Sequence, residues 1–290
     1  MAVGGFDADP PETVRRCADH PAWLPFAASD GFNFLAVDQA PALRGRPGQV
    51  ISIGRDFRES VWYEADSVTA LLGQYLAELD ADNYRVDGDR LSFIEPQRRL
   101  GPEMLSTTTL PREIAPATQD VHINHVVEPV DLSPLAAAPR IRRLSVTGRG
   151  GTTDLSPIAG MPVEVLSVAL AGGDLTPLAG HPDLFSIQVS TTSPLDITPL
   201  RANASLRCLD LSAAEVIDLT ILADMPELRA LALTAPQWAA FLDEATLPST
   251  LAVAHLRGVS SIDDALTWST RLGLPAGEVV RIDGSGAVAG

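Results

Sequence analysis

Residues 131–146 read DLSPLAAAPRIRRLSV, 154–168 read DLSPIAGMPVEVLSV, 174–189 read DLTPLAGHPDLFSIQV and 196–211 read DITPLRANASLRCLDL. Aligned on the acid, the phrase starts at Asp131, Asp154, Asp174 and Asp196, and once more at Asp218, with spacings of 23, 20, 22 and 22 residues. An apolar residue follows each acid, then always a hydroxyl: Ser133, Ser156, Thr176, Thr198, Thr220. Proline comes next in four of the five (Pro134, Pro157, Pro177, Pro199), with Ile221 in the last. A hydroxyl before proline predicts a short helical turn, with the hydroxyl capping free N–H groups and proline where no donor is needed. A second proline (Pro139, Pro162, Pro182, Pro226) stops that turn. Each unit closes on apolar residues at period two, such as Leu144/Val146, Ile187/Val189 and Leu209/Leu211, which reads as a strand with one buried face.

A unit of about 22 residues with a strand, a turn and a short helical piece resembles a leucine-rich repeat. One unit cannot bury its own leucines, so the units must stack, strands forming a parallel concave sheet and turns the convex side. Val121 and Ile123 supply a first strand, LAVAHL (251–256) a last one, and residues 262–273 a capping helix. The short Ser/Thr-Pro unit resembles bacterial repeats of the internalin type over about residues 118–257. It departs from them after the strand, where that family often has Asn and this chain has Arg149, Ala171, Thr192, Ala214 and Pro236.

The front of the chain has another character. HPAWLPFAASDGFNFLAVDQAP reads as an entry strand, a turn at Ser29-Asp30-Gly31 and a strand Phe32–Val37, with further strands at Gln49–Ile53 and over VWYEA. A helix follows, capped by Ser67, with Val68, Leu71, Leu72, Tyr75, Leu76 and Leu79 on one apolar stripe. Asp87-Gly88 suits a tight hairpin turn within YRVDGDRLSFI. The proline-rich, aperiodic stretch 96–117 reads as a linker. The expected organisation is a front module over 1–95, that linker, and a solenoid over 118–290.

The 290 residues are 46% hydrophobic and 20% charged, enough to bury a core. Net charge is −16, split evenly as −8 over residues 1–120 and −8 over 121–290. Nucleic acid needs clustered cations, so it is not an expected partner. Acidity attracts basic partners at long range and also keeps a chain soluble. All 21 basic residues are arginine, which excludes a catalytic lysine and the phosphate-loop GK[ST] motif. Two isolated cysteines, Cys17 and Cys208, make neither a disulfide framework nor a zinc site. No basic-then-apolar leader and no run of about 18 apolar residues is present, so a cytoplasmic protein without membrane spans is expected. His122-x-x-His125 falls at opposite faces of a strand, the acids at 80–89 lack calcium-loop spacing, and no G-x-S-x-G occurs. The reading is of a non-enzyme with no cofactor and no metal.

In the front module the order W-L-P-F-A, L-A-V-D, A-P, G-R-P-G-Q-V-I, an acidic strand and an S-V-x-x-L-L helix resembles the SUKH superfamily. The residues are Trp23, Leu24, Pro25, Phe26, Asp30, Gly31, Asp38, Pro41, Gly45, Gly48, Gln49, Val50 and the helix from Ser67. The fold class is then an α+β, SUKH-like module followed by a leucine-rich-repeat solenoid with a parallel concave sheet. Domains of that superfamily normally carry further elements before the W-x-P segment. Here about twenty residues precede it, so the module is expected to be partial: its start lies upstream, or it is reduced and leans on the solenoid. The resemblance implies a protein-binding role. It points to a bacterial immunity protein that binds and neutralises a toxin, such as a basic nuclease. A cytoplasmic scaffold or regulatory adaptor unrelated to toxins is the alternative.

Two candidate binding surfaces follow. Side chains between and just after the strand leucines face the concave surface: Arg143, Ser145, Thr147, Ser167, Ser186, Gln188, Ser190, Asp210, Ser212 and Thr234, among Val165, Ala169, Cys208, Ala230 and Ala232. In the front module Asp56, Glu59, Glu64 and Asp66 make an acidic patch suited to a cationic partner. Trp238, just after the last repeat strand, is expected to be buried against the cap.

Overall fold

The computed structural model describes residues 5–28, 31–88, 90–94, 104–258 and 261–273. The expected turn residues Ser29 and Asp30, the first part of the linker and the GSGAVAG end lie outside them. The chain folds as two compact units. The first takes Met1–Ser106, Glu113–His122 and Ala137–Arg143, and the second takes Thr107–Arg112, Ile123–Ala136 and Leu144–Gly290.

The first unit holds a four-stranded antiparallel sheet of β1 (Trp23–Ala28), β2 (Asn33–Asp38), β3 (Gln49–Gly54) and β4 (Trp62–Ala65), in that order. Each face has its own core. On one, Trp23, Ala36, Ile51 and Val61 meet Ala8 and Val14 of the N-terminal segment. On the other, Val50, Ala65 and Leu71 gather Leu35, Val68 and Tyr75. Gly54 sits at φ 127°, and a Cβ there would stand 2.3 Å from the Phe32 carbonyl oxygen, so only glycine lets β3 close on β2. Buried Gln49 explains part of the G-R-P-G-Q phrase. Its Nε2 donates to the Thr13 carbonyl (2.8 Å) and to Asp38 Oδ2 (2.9 Å), and its Oε1 accepts from the Arg46 N–H (3.0 Å). Residues 5–8 are pinned by a reciprocal pair, in which Asp7 N–H donates to Gln119 Oε1 and Gln119 Nε2 donates to the Asp7 carbonyl.

Helix α1 (Val68–Asp80) starts where expected, with Ser67 Oγ accepting from the Ala70 N–H at 3.1 Å. The expected stripe is only half covered: Leu71 is buried, whereas Leu72 and Leu76 are exposed. Strands β5 (Tyr84–Asp87) and β6 (Arg90–Phe93) form the hairpin after it. Asp87 pairs with Arg90 and so ends β5 instead of entering the turn, while Gly88 takes the positive φ of 63°.

The repeats build an eight-stranded sheet. Its members are β7 (Met104–Thr107), β8 (Asp120–Val126), β9 (Arg143–Gly148), β10 (Val165–Leu170), β11 (Ser186–Thr191), β12 (Cys208–Ala213), β13 (Ala230–Thr234) and β14 (Val253–Arg257), lying in chain order. The pairs from β10 to β14 are parallel and in repeat register, for example Leu166↔Ile187, Ile187↔Leu209, Leu209↔Leu231 and Leu231↔Ala254. The strand leucines Leu144, Leu166, Leu209 and Leu231 are buried, each stabilising the stack by about 1.5–3 kcal/mol on an area basis. Gly148, at φ 130°, ends β9 where a Cβ would meet Val126 backbone atoms at 2.4 Å. Strand β7 is a correction to the reading of 96–117 as linker: MLST is too short to show a period, and it forms as the edge neighbour of β8.

The turns form as 3-10 pieces at Ser133–Ala137, Ser156–Ile158, Thr176–Leu178, Thr198–Ala202 and Thr220–Asp224. Their capping differs from expectation. The repeated aspartate, not the hydroxyl, accepts the free N–H: Oδ1 of Asp131, Asp154, Asp174, Asp196 and Asp218 accepts from the backbone N–H two residues on, at 2.8–2.9 Å. The hydroxyls of Ser133, Thr198 and Thr220 donate to the same carboxylates. Aspartate outcompetes the hydroxyl because its charge strengthens the bond and its side chain reaches two residues ahead. These bonds hold four of the five carboxyls below the usual range: Asp131 chiefly through the Ser133 N–H, and Asp154, Asp174 and Asp196 chiefly through the hydroxyl of Ser156, Thr176 and Thr198.

The far end carries an element that the periodicity did not reveal, helix α2 (Ala235–Glu244). Its signal was Thr234-x-x-Gln237, a capping pair hidden directly behind the β13 leucines. Gln237 Oε1 accepts from the Thr234 N–H and hydroxyl, while its Nε2 donates to the carbonyls of Leu211 and Ala214. Trp238 is buried as expected, with Nε1 donating to the His255 carbonyl at 2.9 Å. Its ring lies 5.8 Å from Trp268 of the cap helix α3 (Ile262–Arg271), which Ser261 caps.

Candidate functional site

Strand register sets the concave surface in rows. The first described row is Val165, Ser186, Cys208, Ala230 and Val253; the second is Ser167, Gln188, Asp210, Ala232 and His255. Ser145, Ser167, Ser186, Ser190, Asp210, Ser212 and Thr234 are half-buried, and Thr147 and Gln188 are exposed. The second row is bonded along itself, with Ser167 Oγ 3.2 Å from Gln188 Oε1. Asp210 gathers most contacts: Oδ1 accepts from the Ser212 N–H (3.0 Å) and hydroxyl (2.6 Å), and Oδ2 lies 3.3 Å from Arg257 Nη2. Thr147 Oγ1 reaches Asn124 Oδ1 at 3.3 Å. Sequence reasoning missed Asn124, His255 and Arg257 as members of this face. The spacing of LAVAHL from β13 could have found the last two. The Cys208 thiol is half-buried, and burial pushes its pKa up, which disfavours the thiolate.

Arg143 stands apart from the row it was assigned to. Its guanidinium lies over the Phe6 ring at 4.8 Å and pairs with Asp120 Oδ2 (3.4 Å) and Glu59 Oε1 (3.5 Å). His122 Nε2 stands 2.9 Å from the other Asp120 oxygen, and His125 is exposed in the left-handed region at φ 57°.

The structure gives each of the four front acids an internal partner. Asp56 Oδ2 accepts from Asn33 Nδ2 (2.8 Å) and Oδ1 lies 3.2 Å from Arg55 Nε; the Asn33 bond leads in holding its carboxyl below the usual range. Glu59 pairs with Arg143, and Glu64 Oε1 accepts from Ser52 Oγ at 2.6 Å. Asp66 Oδ1 accepts from the Tyr63 hydroxyl at 2.7 Å; burial first, then that bond, pushes the Tyr63 phenol up to about 12. Part of the hydrogen-bonding capacity of these carboxylates is therefore spent inside the unit. Among the described residues no group of three or more His, Cys, Asp or Glu side chains is placed to hold a metal ion. Among them, too, no helix is long and apolar enough to cross a membrane.

No protein-family model matches the chain. A stretch of 83 residues is 36% identical to the glucan synthesis regulatory protein of Neurospora crassa, covering 29% of this chain and 15% of that protein. A stretch of 91 residues is 35% identical to the cell wall assembly regulator SMI1 of Saccharomyces cerevisiae, covering 31% of this chain and 18% of the regulator. The chain therefore matches less than a fifth of the length of these relatives. Among solved structures, the internalin InlF of Listeria monocytogenes is similar at 18% identity, with a TM-score of 0.41 over 59% of this chain and 52% of the internalin. Homology to SMI1/KNR4 proteins, which are SUKH-like, extends over about 29% of the chain. The leucine-rich-repeat assignment of the solenoid stands on its repeats and their strands.

Proposed function

We propose that this chain is a non-enzymatic, cytoplasmic binding protein that holds another protein. The observation that carries the reading is the concave sheet: successive parallel strands in repeat register present an accessible row of short polar side chains around Asp210, Gln188 and Arg257. Homology to proteins named as regulators of glucan synthesis and cell wall assembly supports a role through partners. Neutralisation of a toxin is the finer reading. Net charge of −16 favours a basic partner, and docking would work by occlusion, with long-range attraction speeding encounter. The regulatory names favour the second reading, an adaptor with no toxin.

Affinity capture with the intact tagged chain, at low and at physiological salt, tests this. A single basic protein retained at low salt and lost as salt rises, whose toxicity co-expression of this chain suppresses, supports neutralisation. A stoichiometric partner held regardless of salt supports the adaptor. Chemical conversion of the captured protein by the chain would overturn the non-enzymatic reading.

A further inference from the structure

Helix α1 and the β5–β6 hairpin of the first unit expose apolar surface. Tyr75 on α1 and Phe93 on β6 stack at 4.9 Å with an interplanar angle of 11°, joining the two elements. Cross-strand register places Tyr84 opposite Phe93 and Val86 opposite Leu91, so these four share the hairpin face that turns toward α1. On the helix, Leu72 lies three residues before Tyr75 and Leu76 four residues beyond Leu72, so both adjoin the Tyr75 stripe. Beyond the aromatic stack both elements expose aliphatic side chains: Leu72 is 60% exposed, Leu76 59%, Val86 62% and Leu91 45%. Four large aliphatic side chains on two elements joined by an aromatic stack are a patch, not scattered surface residues.

The rim is acidic. Asp80 continues the Leu72–Leu76 row at the same four-residue spacing, and Glu78 and Asp82 stand at the same end of the helix. Acids at a helix C-terminus add to the negative pole of the helix, and α1 has no basic residue in its last turn to offset them. Among the described side chains of the hairpin, Arg85 is the one cation, and it alternates with Tyr84 and Val86 to the other face.

We propose that this groove docks an amphipathic helix of a partner protein, with apolar residues at three- and four-residue spacing and flanking Arg or Lys side chains. The groove resembles helix-in-groove recognition, in which an apolar stripe supplies affinity and flanking charge supplies selection. A second copy of the chain is disfavoured as occupant, because it would bring like-charged rims together on a molecule of net charge −16. The inference rests on the reading that the chain binds proteins, and it names the surface and the partner chemistry.

Fluorescence anisotropy on the intact chain tests it with two synthetic helical peptides of about 18 residues. Both carry one leucine stripe; one has arginine flanks and the other glutamate flanks. The arginine peptide is expected to bind about tenfold or more tightly than its twin, and the Leu72→Glu/Leu76→Glu double variant to lose about tenfold of that affinity. Both leucines are more than half exposed, so the variant should melt as the parent does, and Leu72→Ser/Leu76→Ser serves if it does not. Equal affinity for the two peptides, or undiminished binding by a folded variant, overturns the proposal. Concentration-dependent dimers in sedimentation that the variant abolishes would also overturn it, in favour of a second copy. If the variant still retains a partner captured by the intact chain, protein binding stands and the groove assignment falls.

Discussion

The solenoid and the corner formed by α1 and the hairpin use leucine in opposite ways. In the solenoid the strand residues of the recurring phrase stack on their counterparts in neighbouring units, and Leu144, Leu166, Ile187, Leu209 and Leu231 all end buried. In the front unit α1 carries a stripe of comparable width, yet the sheet covers only the Val68, Leu71 and Tyr75 side of it. A repeat encodes its own packing partner. A lone amphipathic helix encodes only the demand for one, and the unmet part of that demand is surface available to another molecule.

Substitutions can break or sharpen this contrast. Leu209→Ala, deep in the stack, should cost about 2–5 kcal/mol in urea unfolding, whereas Leu72→Ala should stay within about 0.5 kcal/mol of the parent. If the two cost the same, the helix stripe is covered after all. Gly148→Ala comes next. It combines a φ that alanine rarely adopts with backbone 2.4 Å from the new Cβ, and should lower the urea midpoint well beyond the 1–2 kcal/mol or so expected of left-handed strain alone. Trp238→Phe keeps most of the ring but orphans the His255 carbonyl, for a loss of about 1–3 kcal/mol at the end of the stack.

The smallest effect concerns pH. The turn aspartates 131, 154, 174 and 196 have folded-state pKa values below their unfolded ones. Their contribution is therefore fully present above the unfolded value of about 3.9 and is lost as pH falls below it through the folded values. Urea midpoints should drop between about pH 4 and pH 2. The slope should flatten in a variant with Asp154, Asp174 and Asp196 replaced by Asn, which keeps the side-chain acceptor without the titration. An unchanged slope would place the acid sensitivity elsewhere.

Much of the solenoid was legible because period, turn chemistry and strand alternation agree within each unit. Its strands from β8 to β14, the turns and the cap helix stand where the spacing puts them. Two elements escaped. Strand β7 is four residues long and forms only against β8, so nothing local marks it. Helix α2 begins directly on the last repeat strand, where Thr234 reads equally as a concave residue and as a cap. The repeated aspartate was legible as a signature but its job was not, because hydroxyl and carboxylate compete for one N–H and only geometry shows which wins. The candidate sites were read least well. Which acids stay free depends on partners distant in sequence: Glu59 meets Arg143, Asp56 meets Asn33, and Asp210 meets Arg257 from two strands away. No spacing rule carries such pairs. The uncovered Leu72 and Leu76 were visible only as members of a stripe, since a stripe does not say how much of itself will be met.

Hydrogen exchange of the intact chain, followed by mass spectrometry, tests the contrast most directly. Amides of β10, β11 and β12, held on both sides by neighbouring strands, should exchange orders of magnitude more slowly than those of α1 and the β5–β6 hairpin, and the arginine-flanked helical peptide should slow the latter selectively. Equal protection in both regions without the peptide, or protection gained anywhere but at α1 and the hairpin, would contradict the account.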